Sequence, residues 1–242
     1  MIWGKFGKLP KKVDPQRRTL QLKDYIAAAV PIPPLHKAWS PASTSWPWLG
    51  NDVAGCCAVT AAGHLIQNWT TNDGAPFVPS TQQILDVYTE LGGYDPQDPS
   101  TDRGLYMYDV LRHWKRHGIA GHTISAWVEV DPQSLRDVAL ALYWCGGLYA
   151  GFLLPESYQR ESVWRDTDSP GRYGHATAIF DRSPFTLTCA TWARLQRMLV
   201  RYLRRCDELY CPLSTDWTGP DEVAPNGLLH QELLRDLELV TR

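Results

Sequence analysis

Cys57 follows Gly55-Cys56 and opens a run of small and apolar residues, Ala58, Ala61, Ala62, Leu65 and Ile66, which predicts a helix packed deep in the fold to about Trp69. A thiol in the first turn of such a helix is chemically distinctive. Unpaired backbone N–H groups and the helix dipole at that end stabilise a thiolate. Burial as a small apolar side chain is the competing reading of the same cysteine. His175 offers a base: Tyr173-Gly174 precede it and a strand pattern over 176–180 follows, so a rigid element presents the imidazole. Thiolate and imidazole together are the equipment for nucleophilic attack on a carbonyl. His64 stands seven residues after Cys57 on the same helix, about 10 Å away by helical rise, and is expected to pack or cap.

The elements that must carry these groups can be read in order. Residues 1–50 are rich in Pro and Trp and poor in periodicity, reading as an extended arm laid over a body. After the cysteine helix, a second helix is predicted over 81–91, stopped by Gly92-Gly93, and a third over 104–117, stopped by Gly118. Asp131-Pro132 predicts the cap and first turn of a fourth helix that runs to Cys145. Strand patterns follow over 148–154, 175–181 and 185–190. Two further helices are expected, one over 194–210 with Arg194, Arg197, Arg201, Arg204 and Arg205 as a basic strip, and one over 228–239 with Asn226 as its cap. Leu229, Leu233 and Leu237 share a face of the last. Helices first and strands later predict an α+β protein, its helical half packed on a mainly antiparallel sheet with a cleft between the halves.

Composition narrows the partners. The chain has 242 residues, 44% of them hydrophobic, and a formal charge of −2. No basic excess points to nucleic acid or to an anionic membrane. Prolines 31, 33 and 34 interrupt the apolar stretch over 25–35, so neither a bilayer span nor a signal peptide is expected there, and synthesis in the cytoplasm without export is predicted. Six cysteines without C-x-x-C pairs predict mostly free thiols and no zinc, with Cys206 and Cys211 as the one pair spaced to bridge at a helix end.

The stretch 49–57, Leu-Gly-Asn-Asp-Val-Ala-Gly-Cys-Cys, resembles the nucleophile loop of papain-like cysteine peptidases, in which an oxyanion-hole amide stands six positions before the cysteine. Asn51 occupies that place for Cys57, whereas Gly50, six before Cys56, has no side-chain donor. Gly92-Gly93-Tyr94 is similar to the family's substrate-holding glycine pair. Tyr173-Gly174-His175-Ala176 resembles its histidine strand, and residues 188–193, Thr-Cys-Ala-Thr-Trp-Ala, its asparagine-serine-tryptophan-glycine segment. The resemblance spans roughly residues 33–193.

It implies a two-lobe papain-like fold in which Cys57 attacks a peptide or cell-wall peptide carbonyl and His175 forms the ion pair. The Cys57 N–H and Asn51 would hold the oxyanion, and Trp192 would shield the histidine, or serve as an ordinary core aromatic. No cofactor or metal is implied. Two departures stand out. Ala190 replaces the family's orienting asparagine, with Thr191 as the nearest polar side chain, and the segment after Trp192 is unlike the family's. That later segment is similar to uncharacterised papain-like proteins of bacteria and their phages, which implies a phage or virion setting.

The expected organisation is an arm over 1–31 (a propeptide or an assembly tether), a papain-like domain over 32–217 and a tail over 218–242 with an amphipathic helix. The arm and that helix are the candidate surfaces for an assembly partner. The rival to a peptidase is a catalytically silent structural module, such as a virion component; acyl transfer by the same nucleophile is a third reading. An active pair should bring Cys57 sulfur near a His175 nitrogen at the mouth of an open cleft, whereas a filled cleft favours the silent module.

Overall fold

The computed structural model describes residues 4–12, 21–24, 33–166 and 171–218. Three helices come first: α1 (Cys57–Asn72), α2 (Thr81–Gly92) and α3 (Met107–Arg116). They are followed by β1 (Ala126–Glu129), α4 (Leu135–Cys145), β2 (Leu148–Leu154), β3 (Val163–Trp164), β4 (Tyr173–Arg182), β5 (Thr186–Thr191), β6 (Arg194–Leu199), β7 (Cys206–Leu213) and the single turn α5 (Thr215–Thr218). The strands form one sheet in the order β1-β7-β2-β4-β5-β6-β3, antiparallel except for the β3–β6 pair.

Both faces of this sheet are buried, which explains why β2 is apolar along nearly its whole length. Successive strand residues point to opposite faces. Accordingly Tyr149 joins the core formed with α1, α2 and α3, while Leu148, Ala150, Phe152 and Leu154 join a second core with α4 and the far sides of β5, β6 and β7. Helix α1 is buried on nearly every side, with one side chain from β2 tied to its first turn and two of its own side chains tying its C-terminal half to the junction of α4 and β2. Tyr149 Oη donates to Ala58 O at 2.9 Å, and Trp69 Nε1 and Asn68 Nδ2 donate to Cys145 O and Gly146 O at 2.7 and 2.9 Å. The cysteine end of the helix is thus held rigidly against β2 and β4.

Several expectations change. The fourth helix is capped by Ser134, whose hydroxyl accepts from Asp137 N, whereas Asp131 sits in the turn before it. The stretch 194–210 is not a helix. Trp192 and Ala193, both with positive φ, form a two-residue turn of the type that joins antiparallel strands, and it places Arg194 opposite Thr191. Gln196 and Met198 then alternate inward along β6. Helix-favouring arginines lost to hairpin pairing, and the five arginines are divided between β6 and a 3-10 turn, Val200–Arg205, so they form no helical strip. Cys211 bridges to Cys145, linking β7 to the end of α4, and Cys206 is a free buried thiol. The predicted helix over 228–239 lies outside the described residues. Among the described residues no helix is long and apolar enough to cross a membrane, and no cluster of His, Cys, Asp or Glu could hold a metal ion.

Candidate active site

The loop before α1 is wound tightly on Leu49 and Gly50, both at positive φ, with Asn51 N–H bonded to Trp48 O and Ala54 N–H to Gly50 O. Asp102 fastens its end. One carboxylate oxygen accepts from Gly55 N at 2.8 Å and from Tyr88 Oη at 2.6 Å, and Tyr88 Oη in turn accepts from Gly104 N at 2.9 Å. The nucleophile loop, α2 and the Gly104-Leu105 segment are therefore registered against one another through a single carboxylate.

Cys57 begins α1 with its sulfur against β4, where Ala176 N–H donates to it at 3.4 Å. The adjacent residue on that strand is His175, wholly buried. His175 Nε2 is 2.6 Å from Thr191 Oγ1, while Nδ1 is buried and without a hydrogen-bond partner. Trp192 stacks on the imidazole with centroids 4.3 Å apart and planes 24° from parallel. At the place of the missing asparagine, Ala190 is core, and the next residue, Thr191, makes the hydrogen bond to the imidazole. Cys56 faces away, near Leu49 O and Thr60 Oγ1. His64 Nε2 donates to Pro47 O, 2.9 Å away, and the ring packs on Trp46.

The groove beside Cys57 is filled, and the occupant is the chain's own beginning. Residues 4–9 run through it in extended form. Lys5 N–H donates to Asn51 O at 2.7 Å, and Lys5 O accepts from Asn51 Nδ2 at 3.1 Å, so the residue expected to hold an oxyanion holds an arm carbonyl. Gly7 and Lys8 N–H groups bond Gly174 O at 3.1 and 3.0 Å. Leu105 N–H donates to Gly7 O, and Leu9 N–H to Leu105 O, each at 2.8 Å. Phe6 stacks on Tyr173 and meets His175 and Trp192 edge-on. Glycine is required where this segment is tightest: a Cβ on Gly7 would overlap Gly55 O, and one on Gly4 would overlap the Trp192 ring.

Gly92 and Gly93 have a different place from the one expected. They close α2, Gly93 in the left-handed conformation with open space where a Cβ would be, and Gly92 behind Leu105. The backbone groups that hold an extended chain in the groove belong to Asn51, Leu105 and Gly174. Gly104, with φ of 76°, lets Gly7 approach, and a Cβ there would overlap Gly7 O. A glycine just ahead of a helix, as at Gly104, is the sequence signal for this close approach.

Electrostatically the covered site is neutral. Burial pushes the Cys57 thiol up to about 11 against the opposing pull of the Ala176 and Gly7 N–H groups and the Lys8 charge. Burial lowers His175 to about 3. Burial pushes Cys56 up to about 12, with the Thr60 hydroxyl opposing. Lys8 lies beside the pair with its side chain fully buried, its Nζ 2.7 Å from Asp207 Oδ2 and 2.9 Å from Glu208 Oε1.

A cysteine at a helix N-terminus, a histidine on the facing strand and a groove between helices and sheet are the arrangement of a papain-like fold. Solved structures agree with it. Xylellain, a cysteine protease from Xylella fastidiosa, superposes with a TM-score of 0.64 at 14% identity, over 87% of this chain and 96% of that one. Procathepsin L 3 of the Tenebrio molitor larval midgut gives 0.61 at 12% identity, over 88% and 76%. Bromelain from Ananas comosus, in complex with the E64 inhibitor, gives 0.55 at 13% identity, over 74% and 99%. No family model and no curated protein sequence matches the chain. The papain-like fold is therefore shared at low sequence identity.

Proposed function

We propose that the protein is a papain-like cysteine peptidase or amide hydrolase in which residues 4–9 act as a built-in cleft occupant that keeps it latent. The observation that carries this reading is the commitment of His175 Nε2 to Thr191, which leaves Nδ1 as the free ring nitrogen on the strand that touches Cys57 sulfur. A structural module has no chemical need for that orientation.

The occupant is held by its backbone, with Gly7 N–H donating to Gly174 O at 3.1 Å. With a substrate in its place, the Cys57 thiol gives its proton to His175 Nδ1 as the sulfur bonds to the carbonyl carbon, and the C–N bond breaks. The proton held by His175 goes to the leaving amine. Water then attacks the thioester, giving its proton to His175 and restoring the thiol. Asn51 Nδ2, released from Lys5 O, and the Cys57 N–H are the oxyanion donors, and the Leu105 and Gly174 edges take the substrate backbone. Cell-wall peptides and proteins both offer such bonds.

The silent module, in a virion or another assembly, is favoured by one observation, the filled groove. That filling is a single extended segment held largely by backbone hydrogen bonds and one lysine. It is not a set of wall side chains, so it can leave without unfolding the body.

The test is iodoacetamide labelling of Cys57 against pH in the wild type, in Gly7→Ala, and in Gly7→Ala combined with His175→Ala, with casein degradation measured in parallel. Gly7→Ala should label at least tenfold faster than wild type, with a thiolate pKa well below the ordinary value of about 8.5, and should degrade casein. Removing His175 should abolish both gains. Equal labelling of wild type and Gly7→Ala would sink the latency reading, and a thiol of ordinary pKa with or without His175 would leave the silent module standing.

A further inference from the structure

The Lys8 side chain marks a pocket with a chemistry of its own. It leaves the groove between Gly174 and Leu105 and is fully buried, its Nζ between Asp207 and Glu208. Gly151 forms one wall, where a Cβ would overlap Lys8 Cε and crowd Met107 Sδ, so the pocket exists because β2 carries glycine at its bulge. The Glu208 side chain is 1% exposed. Its Oε2 accepts from Tyr210 Oη at 2.9 Å, which fixes the carboxylate in place. No hydrogen bond reaches Oε1, and what faces it is the Lys8 ammonium. A carboxylate this deep is unfavourable without a cation beside it. When residues 4–9 leave, Oε1 is left aimed into an empty, glycine-walled pocket of lysine length.

Building on the peptidase reading above, we propose that Glu208, with Asp207 at the rim, selects a lysine or arginine side chain in the chain that replaces the arm, at the residue adjacent to the one over Cys57. Lys8 is then a mimic of the substrate's own basic residue, and latency and specificity use the same carboxylates. Neutral side chains of similar length are disfavoured because they leave Oε1 buried without a partner.

The experiment uses the full chain with Lys8→Ala, which empties the pocket and leaves its walls intact, and blocked tetrapeptides of Gly and Leu carrying Lys, norleucine or Gln at one position in turn. Two quantities are read: protection of Cys57 from iodoacetamide, and peptide cleavage. At one position Lys should protect at concentrations at least tenfold below norleucine and Gln. That preference should shrink to within about twofold in Lys8→Ala/Glu208→Gln, and should weaken in Lys8→Ala/Asp207→Asn, the rim variant that leaves the buried carboxylate untouched. Equal protection by Lys and norleucine at every position, no protection by any peptide, or a Lys preference that survives Glu208→Gln would each overturn the proposal. Lys-selective protection without cleavage would keep the pocket and remove the peptidase reading instead.

Discussion

Thr191 Oγ1 sits 2.6 Å from His175 Nε2, at the end of β5 directly before the turn that lays Trp192 over the same imidazole. Hydrogen bond and stacking ring come from consecutive residues, so one hairpin fixes the position and ring orientation of the histidine. The hydroxyl can accept from Nε2–H, which leaves Nδ1 as the basic nitrogen.

Removing the hydroxyl should therefore change turnover and leave substrate binding nearly alone. Thr191→Val in an arm-released background is expected to lower kcat by about tenfold to a hundredfold with KM within about twofold, since an orienting group acts on the histidine and not on substrate. Thr191→Ser, which keeps the hydroxyl, should retain most of kcat. Steady-state kinetics of the two variants decide this, and equal losses in both would point to packing.

The buried histidines set a sign for the pH dependence of stability. His175 is held to about 3 and His64 to about 4, both by burial, against about 6.5 in an unfolded chain. Below about 6.5 the unfolded chain binds more protons than the folded one, so stability that is complete at neutral pH is lost as pH falls toward the folded values. Glu208, raised by burial with Lys8 opposing, has the reverse slope but acts nearer the carboxylate range. The urea midpoint should fall steadily from pH 6.5 to 5, and by less in His64→Gln. A flat midpoint across that window would contradict the burial of these rings.

The disulfide is testable by counting thiols. Cys145 and Cys211 close a loop over a sequence separation of 66, with Cys56, Cys57, Cys189 and Cys206 free. Denatured protein should take up alkyl groups at those four cysteines before reduction, and at all six after it. Cys145→Ala with Cys211→Ala should reduce stability by about 4 kcal/mol on loop entropy alone. Alkylation of Cys145 or Cys211 without reduction would remove the bridge.

Much of the site was legible because it depends on local pattern. The small-residue run after Cys57 can only be a buried helix, and its first turn is where a thiolate is stabilised. The Gly174-His175 step into an apolar alternation marks a strand end. The chain of 44% hydrophobic residues with helices ahead of strands fits the α+β fold.

What the tertiary structure decided depends on residues distant in sequence. The 194–210 stretch has good local helix formers, and only pairing of β6 with β5 and of β7 with β1 and β2 makes its two ends sheet, joined by the 3-10 turn Val200–Arg205. Thr191 gains meaning only when β5 and β4 lie side by side, and Cys145 meets Cys211 only once α4 and β7 are packed. The arm's route through the groove, and the use of Lys8 as the cation for Glu208, are invisible in a Gly-Lys-Phe-Gly-Lys string. Local periodicity and capping are short-range and leave a trace in the sequence. Strand order, groove filling and ion pairing between residues two hundred positions apart are long-range, and are set by which surfaces are left to bury once the core has formed.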